Sequence, residues 1–185
     1  MTVATQRLSP LAYLTRERRS RTKSEYLNGQ VHPMAGATYR HNLIVAQLIH
    51  RFMSNLENGP CRVLPSDMRV EVEDSYAYPD VVIVCDPPQI ADGDILLNPT
   101  ILIEVLSPST EVYDRGEKAQ KFRTIPSLQE YVLVSQDSYA IEHYVRHTGD
   151  TWLFSETFGE DSTIYFPTID CTLRLADIYS QVEFE

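Results

Sequence analysis

The spacing of apolar residues divides the chain into predicted helices and strands. Between residues 38 and 58 apolar side chains recur every three or four positions, which predicts an amphipathic helix that ends before Gly59-Pro60. Residues 67–73 alternate between polar and apolar side chains, which predicts a strand with one face in water. Residues 80–85 and 101–106 are nearly continuous apolar runs, and such runs are typical of central strands that are covered on both faces.

Turn and capping signals predict the remaining elements. Asn28-Gly29 between short apolar runs predicts a hairpin with a type I′ turn. Asp114 and Glu117 have the spacing of a capping box, which predicts a helix from Asp114 to about Thr124. The other predicted elements are a strand, a two-stranded hairpin and a short last helix, at residues 130–134, 140–146 with 152–157, and 175–179. This mixture of helices and strands predicts an α/β fold.

Charge is unevenly distributed along the chain. The 185 residues carry a formal net charge of −10, but residues 1–23 hold six basic side chains against Glu17, a balance of +5 that leaves −15 for the rest. The length suits one compact domain. We therefore predict a basic N-terminal arm or surface helix at 1–23, followed by a single domain at 24–185. A basic arm on an acidic body is one way to hold nucleic acid, and a solvated helix of mixed charge is the alternative interpretation.

Composition excludes several classes of protein. No apolar run approaches the roughly 20 residues that a membrane span needs, and the N-terminus lacks the apolar stretch of a secretory signal. The three cysteines, Cys61, Cys85 and Cys171, are widely spaced and include no C-x-x-C pair that would indicate zinc or redox chemistry. We therefore expect no membrane association, and reduced thiols in a cytoplasmic protein.

Two carboxylates stand in the apolar strands. Burying an isolated carboxylate costs several kcal/mol, so Glu104 needs a basic partner, a metal ion or a raised pKa that keeps it neutral. Asp80 begins its strand, where a capping or edge role is the alternative. If the two strands are neighbours, the carboxylates converge and offer a site for a hard cation such as Mg²⁺. Lys118 and Lys121 lie on one face of the next predicted helix, with Lys118 nearer to Glu104; for Lys121 a salt bridge or solvated face is favoured.

Several of these strings together resemble a known family. Tyr78-Pro79-Asp80-Val81, then residues 103–110, 114–118 and 125–134, closely resemble the Uma-type restriction endonuclease family, which is abundant in cyanobacteria. The resemblance extends over roughly residues 24 to 180. It implies the restriction endonuclease-like fold of PD-(D/E)xK nucleases: a central mixed β-sheet flanked by α-helices, with metal held by an aspartate and a glutamate on adjacent strands.

The resemblance also implies roles for individual residues. Asp80 and Glu104 match the metal-binding carboxylates, but Leu106 stands where the standard motif has its lysine. The lysine function of the family matches Lys118 instead. Three further polar positions match without an assigned role, namely Glu25, His41 and Asp67. By spacing alone, His41 lies on the inward stripe of its helix, which is more typical of a packing residue than of a ligand.

These observations favour one function and leave another open. We expect a Mg²⁺- or Mn²⁺-dependent endonuclease that hydrolyses DNA, with Asp80 and Glu104 as ligands and Lys118 as electrostatic helper. The alternative is a non-catalytic nuclease-fold module that binds nucleic acid or a protein partner, and the acidic body slightly favours it. Because nuclease-fold proteins often pair, a homodimer also stays open, with the apolar hairpin near Trp152 as its candidate surface.

Overall fold

Strands outnumber helices in the described residues. The structure, a computed structural model, describes residues 8–34 and 36–184. In chain order the strands are β1 (Ser24–Leu27), β2 (Gln30–Pro33), β3 (Arg62–Pro65), β4 (Arg69–Val72), β5 (Ser75–Ala77), β6 (Val81–Val84), β7 (Ile90–Ala91), β8 (Ile95–Leu96), β9 (Ile101–Leu106), β10 (Glu130–Ser135), β11 (Ala140–Arg146), β12 (Trp152–Phe158), β13 (Thr163–Phe166) and β14 (Cys171–Arg174).

The helices are fewer and mostly short. They are α1 (Pro10–Glu17), α2 (Tyr39–Leu56), α3 (Glu111–Tyr113), α4 (Ala119–Phe122) and α5 (Leu175–Ile178), with a π-helical turn at Asp114–Lys118 and a 3-10 turn at Pro167–Ile169. The π-helical turn joins α3 to α4, so residues 111–122 run as one irregular helical segment. Within the described ranges, no helix has the length and apolar character needed to cross a bilayer.

Two mixed sheets form the body. The first sheet has the order β2-β1-β5-β4-β8-β7, the second has the order β12-β11-β10-β9-β6-β3, and β13 pairs with β14 in a separate hairpin. One apolar cluster joins residues of both sheets with α4, including Leu27, Val70, Leu102 and Phe122. A second cluster lies on the other side of β9, where Ile103 and its neighbours pack against α2 and α5. The second sheet is therefore covered on both faces at β9, as predicted.

Most predicted elements are present. The long helix is α2, and the hydroxyl of Thr38 caps it by accepting a hydrogen bond of 3.1 Å from the His41 N–H. The apolar run 101–106 is β9, and the predicted hairpin is β11 with β12. Asn28 and Gly29 have φ angles of 49° and 84°, the positive values that a type I′ turn requires. Local spacing was sufficient for these elements because each has a strong period or a specific turn residue.

The predicted start of the helix after β9 is wrong. Helical backbone begins at Glu111 rather than Asp114, and Thr110 makes no side-chain cap. The N–H of Asp114 already donates to the carbonyl of Thr110 at 2.8 Å, so Asp114 lies inside the helical segment. Its side chain is buried and lies 3.6 Å from Lys118 Nζ. The carboxylate is thus used inside the protein and does not cap a helix.

The alternation predicted for β4 fails at Arg69. This residue was expected in water but is 4% exposed. Its guanidinium donates to the Tyr78 hydroxyl from Nε at 3.0 Å and pairs with Asp94 at 2.8 Å. Because these partners satisfy the charge, burial of an arginine is tolerated here. Arg18, just after α1, pairs with the same Asp94, so α1 is fastened to this region.

Helix α1 packs on the first sheet through tyrosines. Tyr13 and Leu14 are buried, and the Tyr13 ring stacks on Tyr26 and Tyr76 at 5.0 and 5.8 Å. Part of the predicted basic arm, residues 1–7, lies outside the described residues. The boundary predicted at residue 23 stays a prediction.

The expectation of three reduced thiols is wrong, because Cys61 and Cys85 form a disulfide. Cys171 is the one free cysteine and is buried. Strands β3 and β6 are antiparallel with Arg62 opposite Val84, so the next pair along the ladder is Cys61 opposite Cys85. Sequence separation hid this pairing, because it depends on which strands are neighbours.

We expect reduction of this disulfide to lower the free energy of unfolding by about 2–4 kcal/mol, since the crosslink restricts the unfolded chain. Urea unfolding with and without dithiothreitol measures the change. The double variant Cys61→Ser/Cys85→Ser is the control, because dithiothreitol should not alter its stability. Protein purified without reductant and then denatured should titrate one free thiol; three free thiols would contradict the crosslink.

Candidate functional site

Strand pairing brings Asp80 and Glu104 together. Strands β6 and β9 are antiparallel with Val81 opposite Ile103, so the register continued by one residue sets Asp80 opposite Glu104. Side chains at opposed positions share a face, with Cβ atoms about 5 Å apart. Asp80 Oδ2 also accepts a hydrogen bond of 2.8 Å from the Val105 N–H, which fixes the carboxylate against β9.

The lysine reaches this pair from the irregular helical segment. Lys118 Nζ lies 2.7 Å from Glu104 Oε1 and 2.9 Å from Glu25 Oε1, and its side chain is 4% exposed. Glu25 is on β1 of the first sheet, where its Oε1 also accepts a hydrogen bond of 2.9 Å from the Tyr78 N–H. Leu106, two residues after Glu104 on β9, is apolar and offers no charge. Lys118 therefore provides the positive charge next to Glu104.

The buried cluster carries more negative than positive groups. The carboxylates of Glu25, Glu104 and Asp114 lie 2.7–3.6 Å from the ammonium of Lys118, and a fourth, Asp80, lies opposite Glu104 on the neighbouring strand. Burial raises the pKa of the Glu104 carboxyl well above its usual value; Lys118 lowers it in part, and the other carboxylates raise it further. Burial alone would lower the pKa of Lys118, but Glu104, Glu25 and Asp114 outweigh it and raise that pKa well above its usual value. The lysine is thus held in its charged form.

Unpartnered polar atoms concentrate at the same place. Within residues 8–34 and 36–184, five buried side-chain nitrogen or oxygen atoms have no hydrogen-bond partner, and four of them belong to Glu104 (Oε1), His41 (Nδ1), His32 (Nε2) and Tyr113 (hydroxyl). Buried polar atoms are normally satisfied by protein or by ordered water, so these atoms are available to bond to water or to a ligand. Glu104 Oε1 touches Lys118 but without the alignment of a hydrogen bond.

Two of these residues were not predicted from the sequence. The His32 ring stacks on Tyr113 at 5.0 Å, and the Tyr113 ring centre lies 5.9 Å from Lys118 Nζ. A usable signal existed for His32, because a hairpin turning at Asn28-Gly29 sets it opposite Glu25. The third missed residue, Asp114, precedes Lys118 by four positions, a spacing that allows contact along a helix.

Of the supporting candidates, His41 and Glu25 belong to the cluster and Asp67 does not. His41 Nε2 lies 3.2 Å from Asp80 Oδ2, and its side chain is 12% exposed, so it contacts a predicted ligand rather than only packing. Asp67 is 82% exposed and pairs with Lys23. Lys121 pairs with Glu73 away from the cluster, as its salt-bridge interpretation predicts.

Comparison with known proteins identifies the family. The family model described as "Uma2: Putative restriction endonuclease" matches residues 10–176. The chain belongs to the Uma2 family. Two proteins of Synechocystis sp. (strain PCC 6803) are similar to it: sll1609 is 36% identical over 171 residues, 90% of this chain and 97% of that protein, and slr1290 is 38% identical over 149 residues, 80% and 78% respectively.

A solved structure confirms the predicted fold of this Uma2 protein. The crystal structure of a "putative nuclease belonging to DUF820" from Anabaena variabilis superimposes with a TM-score of 0.80. The match covers 95% of this chain and 99% of that one, at 17% sequence identity. The restriction endonuclease-like α/β expectation is therefore confirmed at the level of the fold.

The carboxylate oxygens of the buried cluster in this Uma2 protein are the kind of ligand that a hard divalent cation prefers. In the described part of the chain, no three His, Cys, Asp or Glu side chains are arranged to hold a metal by themselves. Asp80 and Glu104 supply two carboxylates, and Mg²⁺ commonly binds through one or two carboxylates while water and substrate phosphate complete its shell. The excess of negative groups over the one ammonium of Lys118 fits such an ion.

We expect Lys118→Met in this Uma2 protein to lower the free energy of unfolding at pH 7 by about 3–5 kcal/mol, because buried carboxylates lose their cation. Lys118 lowers the pKa of Glu104, so its removal raises that pKa further. A carboxyl whose pKa is raised by folding stabilises the fold at low pH and loses that contribution as pH rises through the raised pKa. The loss caused by the substitution should therefore shrink between pH 7 and pH 5 in urea unfolding.

Lys121→Met is the matched control for this prediction. Lys121 pairs with Glu73, which is 56% exposed, so its removal should cost less than about 1 kcal/mol. Two results would contradict the claim that Lys118 stabilises the fold through the buried carboxylates. One is an equal loss of unfolding free energy in both variants, and the other is a loss in Lys118→Met that does not change with pH.

Proposed function

We propose that this protein is a metal-dependent endonuclease that hydrolyses DNA phosphodiester bonds. The observation that carries the proposal is the opposed pair Asp80 and Glu104, with Lys118 Nζ 2.7 Å from Glu104, in a chain of the Uma2 family. A Mg²⁺ or Mn²⁺ ion bound there would polarise a phosphoryl oxygen and lower the pKa of a bound water.

The residues around the two carboxylates orient Asp80 and supply positive charge to the reacting phosphoryl group. The Val105 N–H and the His41 ring hold Asp80 Oδ2, so this carboxylate keeps one orientation. Lys118, held charged by neighbouring carboxylates, stabilises the negative charge that develops on the phosphoryl group. A lysine with a raised pKa is unsuited to removing a proton from water, so its contribution is electrostatic.

Tyr113 and His32 are available for the substrate. The hydroxyl of Tyr113 and Nε2 of His32 make no well-aligned hydrogen bond within the described residues; the Tyr113 ring lies beside Lys118, and the His32 ring stacks on Tyr113. A hydroxyl and an imidazole N–H can donate to a non-bridging phosphate oxygen. They would bind the DNA backbone rather than read bases, which agrees with a site that carries no base-specific motif.

We expect Asp80→Asn, Glu104→Gln and Lys118→Met each to reduce cleavage of supercoiled and single-stranded DNA at least about 100-fold, because each removes charge from the reacting centre. Asp67→Asn and Lys121→Met should keep near wild-type rates, since both side chains lie outside the cluster. Rates in Mg²⁺ and in Mn²⁺ are compared for variants whose unfolding shows that they are folded.

Metal binding is measured separately from cleavage. Mn²⁺ should raise the melting temperature of the wild type, because an ion that binds only the folded state stabilises it, and Glu104→Gln should abolish that rise. Absence of cleavage in the wild type, together with DNA binding that survives a chelator, would contradict the proposal and favour a non-catalytic binding module.

A further inference from the structure

Strand β12 is an edge strand that lacks the usual protection. It ends the second sheet and pairs with β11 alone among the described strands. Leu153, Phe154 and Phe158 are 57, 51 and 61% exposed, and they lie on both faces of the strand. Its single charged residue is Glu156. Edge strands of this length normally carry lysine or proline that prevents pairing with another chain.

The unused hydrogen-bonding groups of β12 can be assigned from the ladder. At the two ends of the hairpin, the His147 N–H donates to the Thr151 carbonyl at 2.9 Å and the Gly159 N–H to the Tyr139 carbonyl at 3.0 Å. Antiparallel ladders alternate, so the odd-numbered residues of β12 bond to β11. The N–H and carbonyl groups of the even-numbered residues point away from the sheet: Trp152, Phe154, Glu156 and Phe158.

We propose that β12 pairs antiparallel with β12 of a second copy of this chain, about a two-fold axis through Ser155. This register joins outward residues only: Trp152 with Phe158 of the second copy, Phe154 with Glu156, and the same pairs in reverse. Each pair can exchange two hydrogen bonds, and Ser155, at the middle of the strand, faces its own copy at a position without them. The two second sheets would then form one continuous sheet.

Strand length and charge favour this register over its neighbours, because an axis at Ser155 pairs all seven residues of β12 and an axis at Phe154 or Glu156 pairs only five. A two-fold axis at Glu156 would oppose two like charges, whereas the axis at Ser155 sets each Glu156 opposite Phe154. Tyr131, Tyr144 and Phe154 already form a row across β10, β11 and β12, with ring centres 6.2 and 4.9 Å apart. In the proposed register the two Phe154 rings are diagonal neighbours, within reach of each other, so the row continues across the axis.

The overall charge points to the same surface. Each copy carries a net charge of −10, so two copies repel wherever acidic groups face each other. The hairpin end from Thr151 to Gly159 holds one acidic residue in nine, and it therefore offers contact with little repulsion. A second copy fits this strand because every unpaired outward group finds an equivalent partner.

Ser155→Cys tests the register. Opposed residues at a position without hydrogen bonds have Cα atoms about 4.5 Å apart, within the range that a disulfide spans. Mild oxidation should therefore link two copies, seen as a dimer on a non-reducing gel. Glu156→Cys is the register control, because Glu156 faces Phe154 and not itself. No crosslink in Ser155→Cys, or equal crosslinking in both variants, would overturn the register.

Sedimentation of the unmodified protein tests the pairing itself. We expect a dimer for the wild type and for Glu156→Ala, which keeps the outward N–H. Glu156→Pro removes that N–H, twice per dimer, without disturbing the ladder to β11, and should weaken self-association about tenfold or more. A monomeric wild type, or a proline variant that dimerises as well as the alanine variant, would overturn the proposal. Neither readout depends on nuclease activity.

Discussion

The buried contact of Lys118 with its carboxylates holds the two sheets and the irregular helical segment in one arrangement. Glu25 comes from the first sheet, Glu104 from the second, and Asp114 from the same segment as Lys118. Each of these groups would be costly to bury alone, and together they share a single positive charge. Lys118 therefore links the two sheets and the irregular helical segment at this point.

The same arrangement explains the backbone between α3 and α4. A π-helical turn spans Asp114–Lys118, and it connects the two buried charged residues that contact each other. Such turns insert a residue into an α-helix and are frequent at functional sites. Here the turn brings Asp114 and Lys118 to the buried side together, while Arg115 and Glu117 stay at the surface, where Arg115 pairs with Glu142.

The sequence was informative where one strand or one turn carried the signal. The apolar runs located β6 and β9, and with them Asp80 and Glu104; the predicted helix after β9 and the resemblance to the family together pointed to Lys118. The sequence did not reveal which polar residues are buried when their partners are distant along the chain. Arg69 has the polarity of a surface residue, and only contact with Tyr78 and Asp94 makes its burial tolerable. Cys61 and Cys85 look unrelated until β3 and β6 are known to be neighbours.

A protein with a net charge of −10 repels the phosphates of the DNA that the proposed function requires it to bind, and the buried cluster offers a way to overcome this repulsion. Some basic groups near the N-terminus are engaged by the protein, since Arg18 pairs with Asp92 and Asp94, and Lys23 with Asp67. These charges are partly neutralised before DNA arrives. Under the proposed function, a cation held by Asp80 and Glu104 would supply much of the attraction for phosphate. A divalent ion would serve both purposes, because it neutralises the excess negative charge of the cluster and offers positive charge to the scissile phosphate.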